Sequence, residues 1–178
     1  MKSVFASILV ASMIAAPAAA QPLRCLKPAE AESLALVALP DILREATRTC
    51  ATTLPATSFV RSNARPLIAK YQAEADRAWP AAQKALLKLS DPIIEPLLNT
   101  QVARQMLTTL AVSQIVGRID VRDCGAIDRM ASLLEPLPPR NTAGLIVSSL
   151  QYLKAHKTEG GRRATDVSDL PICPEPKP

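Results

Sequence analysis

Residues 68–89, IAKYQAEADRAWPAAQKALLKL, place Ile68, Tyr71, Ala75, Ala78, Ala82, Leu86 and Leu89 at successive steps of three and four. That period is one face of an α-helix, and no period-two alternation competes with it. The phase runs through Trp79-Pro80. A residue before proline is pushed away from helical backbone angles, so a kink or break is expected there, with the apolar face kept on both sides. Thr57 or Ser58 is placed to cap the start, and Ser90-Asp91-Pro92 ends the segment.

The same pattern extends in both directions. Upstream, Pro28 opens a helix over 29–39 with Leu34, Val37 and Ala38 on one face, and Pro40 opens a second over 41–49 with Ile42, Leu43 and Ala46, because proline is tolerated in a first helical turn and poorly in an interior. Downstream, 93–116 is the most apolar portion beyond residue 20. Leu98, Val102, Met106 and Leu110 form one row and Leu107, Ala111 and Ile115 another, which predicts the central helix. Gly117 ends it. Asp120 or Asp123 caps a further helix carrying Ile127, Met130 and Leu134, which stops at Pro136, Pro138 and Pro139. Asn141 caps the last, with Leu145, Ile146, Leu150 and Leu153, ending near Lys157 before Gly160-Gly161. The expected fold is all-α: a single-domain bundle of about six helices, some proline-kinked, with an extended C-terminal tail held by a disulfide.

The first 20 residues have a different character. Lys2, the apolar run 4–16 and Ala18-Ala19-Ala20 have the layout of a cleaved signal peptide, and the run is shorter than the roughly 20 residues a spanning helix needs. Arg24 directly before Cys25 argues against a lipid anchor at that cysteine. The expected organisation is therefore a signal over 1–20, a helical domain over 21–160 and a Pro-rich tail over 161–178 tethered through Cys173. The protein is expected in the periplasm or secreted, with no transmembrane segment once the signal is removed. Beyond residue 20 there are 20 basic and 16 acidic side chains, a formal charge of +4. That mild excess lacks the clustered basic stripe of a nucleic-acid binder, and Phe59, Tyr71, Trp79 and Tyr152 are too few for base stacking.

Cys25, Cys50, Cys124 and Cys173 are an even set in a chain expected to reach an oxidising compartment, so they read as two structural disulfides. Three pairings are open. A hairpin of the first two helices would favour Cys25 with Cys50, leaving Cys124 to hold Cys173. There is no Cys-x-x-Cys spacing for a redox pair, a zinc knuckle or haem attachment, and neither metal nor cofactor is expected.

Candidate functional groups are sparse. Lys154, His156, Lys157, Arg162 and Arg163 form the densest basic cluster and are suited to an anion or partner contact. As structure, the same group is a solvated helix end, with His156 complementing the helix dipole. Gln101, Arg104, Gln105 and Thr108 form a polar stripe that either closes into a network or lines a pocket. Glu74 with Asp76, and Asp120 with Asp123, are the nearest carboxylate pairs for glycosidase-type chemistry, yet the first two point to different helix faces and the second two read as caps. No catalytic residue is assigned.

Ala78-Trp79-Pro80-Ala81-Ala82, and Cys124-Gly125-Ala126-Ile127-Asp128-Arg129 followed by Pro136-Leu137-Pro138-Pro139, resemble segments of small exported alphaproteobacterial proteins with no assigned role. The resemblance covers the chain from Trp79 onward. It implies a helical envelope protein and brings no catalytic residues with it. The function expected is a non-enzymatic contact with an unknown protein or envelope component, with a carrier for a small apolar or amphipathic ligand as the alternative.

Overall fold

The computed structural model describes residues 25–90, 96, 100, 102–106, 108, 109, 119–157 and 171–173. The expected signal over 1–20, Gln101, Arg162, Arg163 and most of the tail lie outside the described residues. Among the described residues the protein is helical, with α1 (Pro28–Cys50), α2 (Phe59–Ser62), α3 (Ala64–Leu89), a 3-10 turn (Val121–Asp123), α4 (Cys124–Leu134) and α5 (Pro139–Lys157). None of these helices is long and apolar enough to cross a membrane.

The first correction concerns α1. It is one helix of 23 residues, and Pro40 lies inside it rather than opening a second. An interior proline removes the hydrogen bond to the carbonyl four residues back and costs about 3 kcal/mol. Burial outweighs that cost here. Leu36, Val37, Ala38, Leu39 and Pro40 form a continuous buried turn, and α1 packs along α3 more extensively than any other pair of elements. At the start of α1, Glu30 accepts the Lys27 amide at 2.7 Å and pairs with Lys88 of α3 at 2.8 Å.

α3 also runs unbroken through its proline. Pro80 faces solvent, so the carbonyl of Asp76 that it leaves without a donor is on the side open to water. Tyr71, Ala75, Ala78 and Ala82 are buried as the sequence phase requires, while the buried face continues at its ends through Leu67 and Ala85. The run of alanines lets α1 approach closely.

Neither Thr57 nor Ser58 caps the start of this region by its side chain. Ser58 holds the N-cap position of α2 with extended backbone, but its hydroxyl makes no cap bond and is buried without a partner. The cap comes from α4: Asp128 Oδ1 accepts the Val60 amide at 2.7 Å, across 68 residues. The 3-10 turn before α4 does carry the expected acidic cap. Asp120 accepts the Arg122 amide at 2.9 Å and Asp123 accepts the Asp120 amide at 3.1 Å. α5 begins at Pro139, so Asn141 lies in its first turn instead of capping it.

Of the helix expected over 93–116, Leu98, Leu107, Leu110, Ala111 and Ile115 lie outside the described residues, and the segment 102–106 is helical. Val102 and Met106 stand exposed, and the side turned inward is Ala103 with Thr108. The sequence rows are apolar nearly all round, so apolarity alone did not select the buried face. The docking contact described below for Arg104 does so.

The disulfide pairing also differs from the expectation. Cys25 bonds Cys173 with the Cα atoms 4.9 Å apart, and Cys50 bonds Cys124 with the Cα atoms 5.4 Å apart. The continuity of α1 is the reason: a 23-residue helix is about 34 Å long, and Cys25 and Cys50 flank its two ends. A disulfide needs Cα atoms within about 7 Å. The hairpin that would have joined them does not exist, and each end of α1 is stapled to a different part of the chain. The tail is held through Cys173, as expected.

Candidate functional site

The tail docks as a short extended segment. Leu26 and Ile172 form a single parallel bridge in which the Leu26 amide donates to Pro171 O at 2.6 Å and the Cys173 amide donates to Leu26 O at 2.8 Å. Both side chains are buried against Ala31, Ala85 and Val147, with Leu34, Leu89 and Leu150 packed around them. On the other side, α5 supplies two donors: Gln151 Nε2 reaches Cys173 O at 3.2 Å and Lys154 Nζ reaches Ile172 O at 3.1 Å. Main-chain carbonyls in a mostly apolar slot need such partners, because an unsatisfied buried acceptor is costly.

This geometry reassigns Lys154. The expected basic cluster places it beside His156, Lys157, Arg162 and Arg163 as an anion contact, whereas its ammonium is directed to a tail carbonyl. His156 and Lys157 occupy the last turn of α5. Arg162 and Arg163 lie outside the described residues, and the cluster is not assembled among those described.

Arg104 has a docking role. Its guanidinium donates to Asp76 Oδ1 at 2.5 Å and lies 5.7 Å from the centroid of the Trp79 ring, which it faces as a cation over an aromatic. Asp76 also accepts from Gln72 at 3.0 Å, and Gln72 accepts from Arg44, itself paired with Asp41. A polar chain therefore runs from α1 across α3 to the 102–106 helix. The pairing holds the Asp76 carboxyl below the ordinary aspartate range, chiefly through the Arg104 hydrogen bond and then that of Gln72. Gln105 is exposed, and its carbonyl accepts from the hydroxyls of Thr108 and Thr109. Within the stripe, the Arg104 side chain is committed to Asp76 and the Thr108 hydroxyl to the Gln105 main-chain carbonyl, while Gln101 lies outside the described residues.

Among the described residues, Glu74 is the one buried carboxylate, which the sequence left unrecognised as such. Its side chain is 9% exposed, and its two oxygens are taken by Arg140 of α5 at 2.5 Å and Arg77 at 2.8 Å. Hydrogen bonding from Arg140 is the largest influence, opposed by burial, and the carboxyl is held below its ordinary value. Close by in the helix, the Tyr71 hydroxyl meets Thr142 Oγ1 at 2.7 Å in the interior, and burial pushes the phenol upward. Glu74 and Asp76 project to different sides of α3 and engage different arginines; Asp120 and Asp123 cap a turn. The four are not brought together as an acid–base pair. Among the described residues, no three His, Cys, Asp or Glu side chains are grouped to hold a metal ion.

An apolar cleft lies between α1, α2, α3 and α4, lined by residues including Leu43, Phe59, Val60, Leu67, Ile68 and Ile127. Its free volume is about 20 Å³, room for one water-sized sphere. Ligand pockets are typically roughly 300–1,000 Å³. Arg104 and Gln105 are not among its lining residues.

No family model, curated protein or solved structure matches this chain. What the fold leaves on the outside is apolar: Val102 and Met106 are 58% and 64% exposed on one helix, and Met130 and Leu133 are 55% and 63% exposed on α4. Spacings of four and three residues put each pair on one side of its helix. Sequence periodicity does find Val102, Met106 and Met130, but assigns them to a core, because it reads apolarity and not what lies opposite; Leu133 is not among the residues it picks out.

Proposed function

We propose that this chain is an exported, non-enzymatic helical domain that works by binding another protein through apolar side chains of α4 and the 102–106 helix. The observation that carries the reading is the exposure of Val102, Met106, Met130 and Leu133. Each pair lies on one side of its own helix, and large apolar side chains left exposed side by side are candidates for an interaction site. The charged groups support it from the other side, since Glu74, Asp76, Glu30, Asp120 and Asp128 are engaged in ion pairs and caps within the fold. Export is supported by the Lys2, apolar and triple-alanine layout of residues 1–20 and by two disulfides, which persist in oxidising compartments. The likeness to small exported alphaproteobacterial proteins points the same way.

The test places a photo-crosslinking amino acid at Met106 or Leu133, with Lys84 on the polar face of α3 as control, in cells that export the protein. The expected result is a discrete adduct to one other polypeptide from Met106 and Leu133 and none from Lys84. Equal labelling from all three positions, or turnover of a substrate that a single-residue change abolishes in a hydrolase panel, refutes the reading.

A further inference from the structure

We propose that the Cys25–Cys173 disulfide is a thiol-operated clasp, which a dithiol reductant opens ahead of Cys50–Cys124 and which then releases segment 171–173 while the helical body stays folded. The two disulfides differ first in access. Cys50 and Cys124 are 0% and 1% exposed, whereas Cys25 and Cys173 are both only partly buried. Thiol–disulfide exchange needs an attacking thiolate to reach a sulfur, so access separates the two pairs kinetically.

They differ also in what must move. Cys50 is the last residue of α1 and Cys124 the first of α4, and both sit in the cluster with Leu39, Val60, Leu67 and Tyr71. Parting them displaces packed helices. Cys25 and Cys173 belong to no helix, and among the described residues their segments are joined, apart from the disulfide itself, by the single bridge at Leu26 and Ile172. Opening there breaks the two bridge hydrogen bonds and the contacts from Gln151 and Lys154, and withdraws Ile172 from its slot. Segments secured by few buried contacts open locally before the whole domain does.

The exchange balances as two electrons and two protons. A thiolate of the dithiol attacks one clasp sulfur and forms a mixed disulfide, and the other clasp sulfur leaves as a thiolate and takes a proton. The second thiol of the reductant then displaces the attached cysteine. The products are a reductant disulfide and the thiols of Cys25 and Cys173. The open form uncovers the apolar slot lined by Leu26, Ala85 and Val147, which the oxidised form keeps filled with its own tail.

Oxidised full-length protein is titrated with dithiothreitol under native conditions, quenched with an alkylating reagent and mapped by peptide mass spectrometry, with amide exchange and circular dichroism followed in parallel. Cys25 and Cys173 are expected to be alkylated at least about tenfold faster than Cys50 and Cys124, and the Leu26 and Cys173 amides to exchange at least about tenfold faster once the clasp opens, with helix content unchanged. Opening of both pairs together, loss of helix with the first reduction, or unchanged tail exchange after it overturns the proposal. The Cys25→Ser/Cys173→Ser variant provides an independent readout. It is expected to stay helical with the same fast-exchanging amides; an unfolded variant, or one whose tail amides remain protected, overturns the clasp.

Discussion

Replacing Cys50 and Cys124 by alanine should destabilise the protein more than replacing Cys25 and Cys173, although the second pair closes the longer loop. In the chain-entropy model the separations of 74 and 148 residues give about 4.5 and about 5 kcal/mol respectively. Loop length alone therefore ranks the clasp first. Two structural terms reverse the order. Both sulfurs of the Cys50–Cys124 pair are fully enclosed, and each leaves a void of about methyl size when removed, which adds about 1 kcal/mol apiece. The expected loss is about 6 kcal/mol. Losing the clasp instead lets the native tail go free. Cys173 lies 16 positions beyond the end of α5 at Lys157, and freeing a loop of about 15 residues returns up to about 3 kcal/mol to the folded state. The net loss is then between about 2 and 5 kcal/mol, depending on how much the Ile172 contacts retain the tail.

At about 2–4 °C per kcal/mol for a domain of this size, the Cys50→Ala/Cys124→Ala variant should melt roughly 12–24 °C below the parent. Thermal unfolding followed at 222 nm, with the urea midpoint as a second measure, gives the comparison. A larger loss from Cys25→Ala/Cys173→Ala than from Cys50→Ala/Cys124→Ala refutes the reasoning, since it would mean that the tail is integral to the folded body and the enclosed pair peripheral.

Two further perturbations address single side chains. Asp128→Ala removes the acceptor for the Val60 amide and should cost about 1 kcal/mol by urea unfolding, whereas Asp128→Asn, which can still cap, should cost less than half of that; equal losses would assign the effect to packing of the side chain. Glu74 has its folded-state pKa depressed below the ordinary 4.5, so its contribution is present above that value and is lost as pH falls through the lower folded-state value. Glu74→Gln should therefore cost about 1–2 kcal/mol at pH 7 and reduce the acid-side slope of stability below pH 4.5, and an unchanged slope counts against an ion pair with Arg140.

The parts of the fold that were legible are those governed by residues close in sequence. The α3 phase from Tyr71 to Ala82, the reciprocal caps at Asp120 and Asp123, and proline at the first position of α1 each depend on neighbours within one or two turns. What was not legible depends on distant partners. Nothing near Pro40 announces that it will be buried in the packed interior of α1 with the helix carried through it. Nothing near Ser58 announces that Asp128 will take its capping role, and of the two arginines that meet Glu74, Arg140 lies 66 residues away. The disulfide error followed from the Pro40 error, since the wrong number of helices supplied the wrong hairpin. Lys154 shows the same limit for the candidate site: its charge was visible, but its acceptor is a carbonyl on a tail that returns from beyond α5.

These features share one cause in the composition of the core. Among the described residues, half of the buried apolar side chains are alanine, and α3 turns Ala75, Ala78, Ala82 and Ala85 into the interior. Apolar burial stabilises by about 25 cal/mol per Å², so an alanine-rich seam allows close helix approach but contributes less than a leucine seam of equal length. The protein compensates with constraints at both ends of α1: Cys50 ties its C-terminus to α4, and Cys25, directly before its N-terminal turn, ties it to the tail. A helix with a proline at its middle is thereby held at the two places where it would otherwise fray. The large apolar side chains that could have thickened this core, Val102, Met106, Met130 and Leu133, stand outside it instead. Staples that stabilise a thin core while apolar residues are kept at the surface are the arrangement that the proposed binding role calls for.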